Sequence, residues 1–422
     1  GVMPGRTWVI APDAESLTAR WKKLVKAKPD QKEDLFIPHL NHGQLGDRHV
    51  ARIVPKALPS FTANSTPIAD EKGDCVPPVR YGFRSFDRQW IIPDNRVLNR
   101  PNPHLWSAHS DRQIYITAPS DRTPTAGPAL TFTALMPDLH HYHGRGGRAI
   151  PLWRDASATV SNLPPKLLDY LRAKYKVTVS PDDFLAYLAA IAANPTYTAR
   201  FQRDLAQPGL RIPLTASRKL FGEAVKQGRL VIWLHTFGER YVDSKAKRLP
   251  GPPRLPKDQA PTVPRGGGIP ADPDLMPDEI DYDADKRRLT VGPGFIDNVP
   301  PEVWNYEISG KRVLTQWFSY RKRHRERPIM GDRRPPSKLC DIQPDHWLAE
   351  YTAELLNVLH VLGRLILLEP EQAALLDQIC SGPLITAAEL AESGALALPP
   401  KWRKTLQAQE SPLLGPAEED DD

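Results

Sequence analysis

Apolar residues along the chain fall into two periodicities that change with position. Ser16 to Lys26 places Leu17, Trp21, Leu24 and Val25 on one helical face, after the strand-like run Arg6–Pro12. From 45 to 150 the apolar runs become short, β-rich and bounded by turn residues. Val50–Val54, Val79–Arg84, Trp90–Ile92, Gln113–Thr117 and Ala129–Ala134 read as strands. Helical spacing returns between 160 and 243. Pro164-Pro165 opens one helix, and Ser180-Pro181-Asp182-Asp183 is a helix start with a side-chain cap, Pro at the first position and acids in the first turn. Further helices are predicted near Tyr197–Leu205 and Ala216–Val225, with Leu230–His235 continuing the apolar pattern.

Residues 244–280 interrupt this order with nine prolines and Gly266-Gly267-Gly268, and predict a linker or long surface loop. Beyond them Arg288–Val291 and Val303–Ile308 read as strands, Ser309-Gly310 as a turn and Val313–Arg323 as a helix. A long helix is expected from Trp347 to Leu368, with Pro370 stopping it, and shorter helices near 371–380 and 386–393. The pattern predicts an α+β chain: a β-rich subdomain, a helical subdomain and a C-terminal helical segment.

Composition sharpens this reading. A chain of 422 residues exceeds what one core usually serves, and 40% hydrophobic content is enough for sizeable cores. Its 45 prolines predict many loops and few long helices. No run of about 18 apolar residues is evident, so no membrane span is expected. Three widely spaced cysteines, Cys75, Cys340 and Cys380, argue for reduced thiols and a cytoplasmic setting rather than a disulfide scaffold. The first residue is Gly1, without a secretory pattern or an initiator Met, which points to a piece of a longer chain.

Net charge is +6, yet the last five residues are all acidic, so the body without them carries +11. A basic body suits a polyanion such as nucleic acid, or simply a soluble basic surface. The acidic run reads as a solvating tail.

Several chemistries are absent from the sequence. There is no G-x-x-x-x-G-K-[ST] loop and no Gly-x-Ser-x-Gly elbow. None of the six Pro-Pro pairs carries the preceding Asn or Asp and following aromatic of an amino-methyltransferase clamp. His140-His141-Tyr142-His143 with Asp138 could suggest a metal site, but adjacent turn residues rarely converge on one ion, and hydrogen-bonding histidines are the preferred reading.

Basic residues interleaved with aromatics form three blocks. Arg80, Arg84 and Arg88 lie in Arg80–Trp90, where Arg80, Gly82 and Arg84 share a strand face. Arg could serve phosphates and guanine there, or staple a turn through Asp87. Arg145 and Arg148 sit in a Gly-rich stretch that could approach a phosphate or form an ordinary hairpin loop. Arg321, Lys322, Arg323 and Arg325 end a predicted helix, where cations also suit the helix dipole.

Tyr187–Phe201 with Leu205, then Leu210–Leu214, Phe221, Gly228 and Leu234-His235, form an ordered set. Phe86-Asp87 with Trp90, Gly144-x-Gly-Gly, and Val303–Tyr306 with Gly310, Val313 and Trp317 complete it. This set resembles the C-terminal target-recognition region of Type ISP restriction–modification enzymes over about residues 1–330. The resemblance implies that 1–44 leaves a methyltransferase core and that 45–243 is the target-recognition domain, β-rich over 45–150 and helical over 160–243. It further implies the linker 244–280, a C-terminal recognition part over 281–409 and an acidic tail over 410–422. The implied function is sequence-specific recognition of double-stranded DNA, without catalysis by this chain. S-adenosylmethionine and ATP with magnesium would belong to upstream methyltransferase, helicase and nuclease domains. No cofactor and no metal is expected here, and Arg80, Arg84, Arg88, Arg145, Arg148, Arg321, Lys322, Arg323 and Arg325 are the candidate DNA contacts. The alternative is a stand-alone metal-dependent nuclease or hydrolase using Asp138, His140 and His141.

Overall fold

In the computed structural model the described residues are 1–41, 44–46, 48–62, 64–120, 122–143, 147–207, 209–325 and 335–400. The fold is α+β, built around two hydrophobic cores. The first contains the N-terminal segment: Trp8, Trp21, Tyr81, Ile91 and Tyr115 are packed together, with Leu339 from the far end of the chain. Its sheet orders strands Ile10–Ala11, Asp87–Ile91, Val79–Arg84 and Met136–Pro137, the first three antiparallel and the last parallel.

A second sheet places Tyr115–Ala118 between Thr131–Thr133 and Arg148–Pro151. It lies between the two cores, because strand side chains alternate faces. Tyr115 belongs to the first core, whereas Ile116 and Phe132 belong to the second.

The second core is mostly helical. Helix Pro181–Ala192 begins with the cap read from sequence. Ser180 Oγ accepts from the Asp183 N–H at 3.1 Å, and Asp183 accepts from the Ser180 N–H at 2.9 Å. This reciprocal pair satisfies two otherwise orphaned donors. The helix packs on Arg218–His235, which is one continuous 18-residue helix rather than two pieces. Gly228 explains the close crossing: a Cβ there would stand 1.6 Å from the Ala186 carbonyl oxygen.

The largest departure from the sequence reading is the helix Ala349–Ser381. It runs through Pro370, which was expected to stop it, and absorbs the helix expected near 371–380. A proline inside a helix costs about 3 kcal/mol. Beyond it Leu375, Leu376 and Ile379 are buried, and each such side chain contributes about 1.5–3 kcal/mol. Gln372 also donates to the Ala190 carbonyl at 3.1 Å. By length and composition this helix could cross a membrane, contrary to expectation, but 56% of its most apolar window is buried inside the fold.

Other differences are local. Val50–Val54 forms turn and loop, not strand. Residues 195–205 make two short helices, Pro195–Arg200 and Gln202–Leu205. Within 303–308 a short helix Pro301–Trp304 precedes the strand Glu307–Ile308, since Pro301 suits a first helical turn. The helix from Val313 ends at Ser319. The proline-rich 244–280 stretch packs as a loop against the helices. The Trp233 indole donates to Leu249 O at 2.9 Å, and the Leu255 N–H donates to His360 Nδ1 at 3.0 Å.

Candidate nucleic-acid interface

The three basic blocks have very different fates. In the first, the hairpin Val79–Ile91 turns through Phe86, held in the left-handed region at φ 64°. That conformation is costly for a bulky residue. It sets the Phe86 ring against His235, ring centroids 4.9 Å apart and planes tilted by 53°, deep in the second core. The flanking arginines turn inward with it.

Arg84 pairs with Asp138 at 3.0 Å, and the same carboxylate accepts from the Tyr81 hydroxyl at 2.8 Å. Burial opposes the charge on Arg84, yet Asp138 holds its pKa above the ordinary arginine value. Arg88 grips both oxygens of Glu354 at 3.0 Å and lies 3.9 Å over the Phe237 ring. Arg80 reaches the same Glu354 at 3.3 Å and keeps 28% of its side chain exposed. These two arginines dock the long helix onto the hairpin.

Asp87 does not pair with Arg84 or Arg88, as the turn-staple reading had it. It pairs with Arg321 at 2.7 Å, both side chains being 2% exposed or less. Arg321 also donates to Trp317 O at 2.8 Å and stacks over the Trp317 ring. The fold therefore gives Arg84, Arg88 and Arg321 to the interior, where they join sequence-distant segments.

The remaining cations of the third block lie in a turn against residues 273–278. Lys322 approaches Asp278 at 3.9 Å, and the Arg323 guanidinium donates to Pro273 O. Arg325 donates to the carbonyls of Lys322 and Arg321 at 2.9 and 3.2 Å. These cations satisfy carbonyls of the turn that follows the helix and of the neighbouring 273 segment.

The second block gives the exposed cation. Arg145 lies outside the described residues, as does the tail 410–422. Arg148 opens the edge strand Arg148–Pro151, where exposure alternates: Arg148 and Ile150 point to solvent and Ala149 is half-buried. Arg148 forms no ion pair among the described residues. Arg112 and Arg122 flank the neighbouring strand and are also exposed, with Arg112 5.7 Å over the Trp153 ring. Sequence reasoning missed both: the antiparallel register sets Arg148 opposite Ala118, toward the Arg122 end of the strand, and leaves Arg112 at the other end beside Trp153.

The Asp138–His143 cluster is a hydrogen-bonded interior feature. His141 Nδ1 lies 2.9 Å from Thr117 Oγ1, and burial, aided by Arg84 and His235, lowers the His141 pKa to about 3. Asp138 is occupied by Tyr81, Arg84 and the His140 N–H. Among the described residues no three His, Cys, Asp or Glu side chains gather as a metal site.

Comparison with known proteins agrees with this architecture. The chain is similar in fold to the protein of a cryoEM DrdV–DNA complex, at 17% identity and TM-score 0.55, covering 92% of this chain and 35% of that one. It is likewise similar to a nuclease-deletion mutant of the Type ISP enzyme LlaGI in complex with a DNA substrate mimic. There identity is 16%, TM-score 0.53, and coverage 88% and 27%. The ATP-dependent Type ISP enzyme LlaBIII bound to DNA gives 14% identity, TM-score 0.55, and coverage of 90% and 23%. The chain thus spans about a quarter to a third of the length of these proteins. No curated protein matches it. The model of the Type ISP C-terminal specificity domain matches residues 1–358, and the chain belongs to that family.

Proposed function

We propose that this chain is the double-stranded DNA recognition module of a restriction–modification enzyme and is itself non-catalytic. The observation that carries the reading is the family match over residues 1–358. The basic body and the exposed Arg112, Arg122 and Arg148 support it. In this reading phosphate contacts fix the position of the duplex and side chains in the major groove read bases. The module would present a target adenine to a methyltransferase domain elsewhere in the parent chain, which takes the base out of the stack. S-adenosylmethionine, and ATP with magnesium, would act in those other domains.

Of the nine candidate contacts, Arg148 is the strongest as a phosphate ligand, joined by Arg112 and Arg122. Arg80, Lys322 and Arg323 are partly accessible and remain candidates, as does Arg145. Arg84, Arg88 and Arg321 support the surface from behind, whereas Arg325 is partly accessible like Lys322 and Arg323. The test is a fluorescence-anisotropy titration of duplex DNA with the parent and with Arg148→Ala. The variant should melt within about 0.5 kcal/mol of the parent, as surface changes do, yet bind all duplexes more weakly, with a salt slope reduced by about one. Unchanged affinity and slope would remove Arg148 from the interface.

A further inference from the structure

The structure also contains an unassigned crevice between the 79–91 hairpin and the C-terminal end of helix Arg218–His235. Its walls include Arg84, Arg88, His235, His141, Asp87 and Glu239, and it encloses a cavity of about 10 Å³. That is room for roughly one small spherical occupant.

Three buried N–H donors in these walls have no acceptor among the described residues. His235 is 4% exposed, and its Nδ1 accepts from the Phe132 N–H at 3.3 Å. A neutral imidazole so engaged carries its proton on Nε2, and Nε2 has no partner. Arg84 Nε and Arg88 Nε are likewise buried without partners. Arg84 Nη1 donates to both Asp138 and the Phe83 carbonyl, the Tyr320 hydroxyl also bonds the Arg84 guanidinium, and the two terminal nitrogens of Arg88 go to Glu354 and Glu239. Both carboxylates in the wall are in ion pairs. Asp87 gives one oxygen to Arg321 and the other to Gln89, and Glu239 accepts from the Arg88 terminal nitrogen at 3.3 Å.

Leaving three buried donors unmade would cost about 1–3 kcal/mol each. A water accepts two hydrogen bonds and must place two protons of its own. A halide accepts three or more and places none, and two of the donors are cationic. We propose that this crevice binds one small inorganic anion of halide size, which ties Arg84 and Arg88 of the hairpin to His235 of the helix. The site is separate from the exposed edge strand and does not depend on DNA binding.

The experiment has two arms on the full chain without DNA. Thermal melts are taken at constant sodium and ionic strength while chloride replaces gluconate. Gluconate is the more strongly excluded anion and stabilises proteins in general, so a saturable rise in Tm with chloride is the expected and diagnostic direction. His235→Phe should lose that chloride-dependent rise. Crystals soaked in bromide supply the second arm, which needs no variant: an anomalous peak is expected among His235, Arg84 and Arg88. A Tm that does not rise with chloride, or a crevice holding only water in bromide-soaked crystals, overturns the proposal.

Discussion

At the residue scale, the same arginine-rich pattern serves two opposite ends, and burial separates them. Arg321 and Asp87 form an ion pair with almost no solvent contact. Such pairs contribute little relative to a hydrophobic replacement, but removing one partner strands a buried charge. Asp87→Ala should therefore destabilise the chain by about 3–5 kcal/mol, read by urea unfolding; a loss below 1 kcal/mol would contradict the buried pair. His141 and His235 make a pH prediction. Burial lowers both pKa values to about 3, whereas an unfolded histidine titrates near 6.5. The unfolded chain then binds more protons, so stability is full above pH 6.5 and falls as pH drops toward 3. Each histidine should contribute a loss of roughly 1–1.5 kcal/mol per pH unit in that window. Urea melts at pH 7, 6 and 5 check it, and a flat profile would contradict it. None of this was legible in the sequence. A one-dimensional pattern shows that Arg84 and Arg321 are basic and near aromatics, not that Asp138 and Asp87 wait for them across 54 and 234 residues.

At the element scale, local chemistry was legible and tertiary override was not. The Ser180 cap, the strands Val79–Arg84 and Arg288–Val291 and the Ser309-Gly310 turn follow from short-range rules that the fold obeys. The continuation through Pro370 follows from burial of residues beyond it, which no local rule contains. Pro370 is exposed, so Pro370→Ala should relieve the helix penalty and raise stability by about 1–3 kcal/mol in thermal or urea melts. A destabilised variant would mean that the proline's bend is required for packing. Gly228→Ala should do the reverse: with Ala186 backbone in the way, the two helices must part, costing about 1–3 kcal/mol or more.

At the scale of the whole molecule, two cores share one intervening sheet, and ion pairs from the hairpin fix the long helix across them. The family was legible from an ordered set of weak motifs spread over the chain, and the α+β class from the change of periodicity. The proposed interface was only partly legible. The edge-strand exposure that singles out Arg148, and the placing of Arg112 and Arg122 at the two ends of the neighbouring strand, arise from strand pairing. If about six phosphates are contacted, affinity for any duplex should fall roughly 10³-fold between 50 and 200 mM salt. Anisotropy titrations across that range check the electrostatic part, and salt-independent affinity would contradict it.

Recognition of a particular sequence is the stronger claim, and one measurement reaches it. The purified chain is incubated with a pool of duplexes carrying a randomised central segment, at salt high enough to weaken phosphate-only binding, and the retained duplexes are sequenced. The account predicts enrichment of a defined motif without cleavage or modification of the DNA. A retained pool as random as the input would contradict the assignment of sequence recognition to this chain.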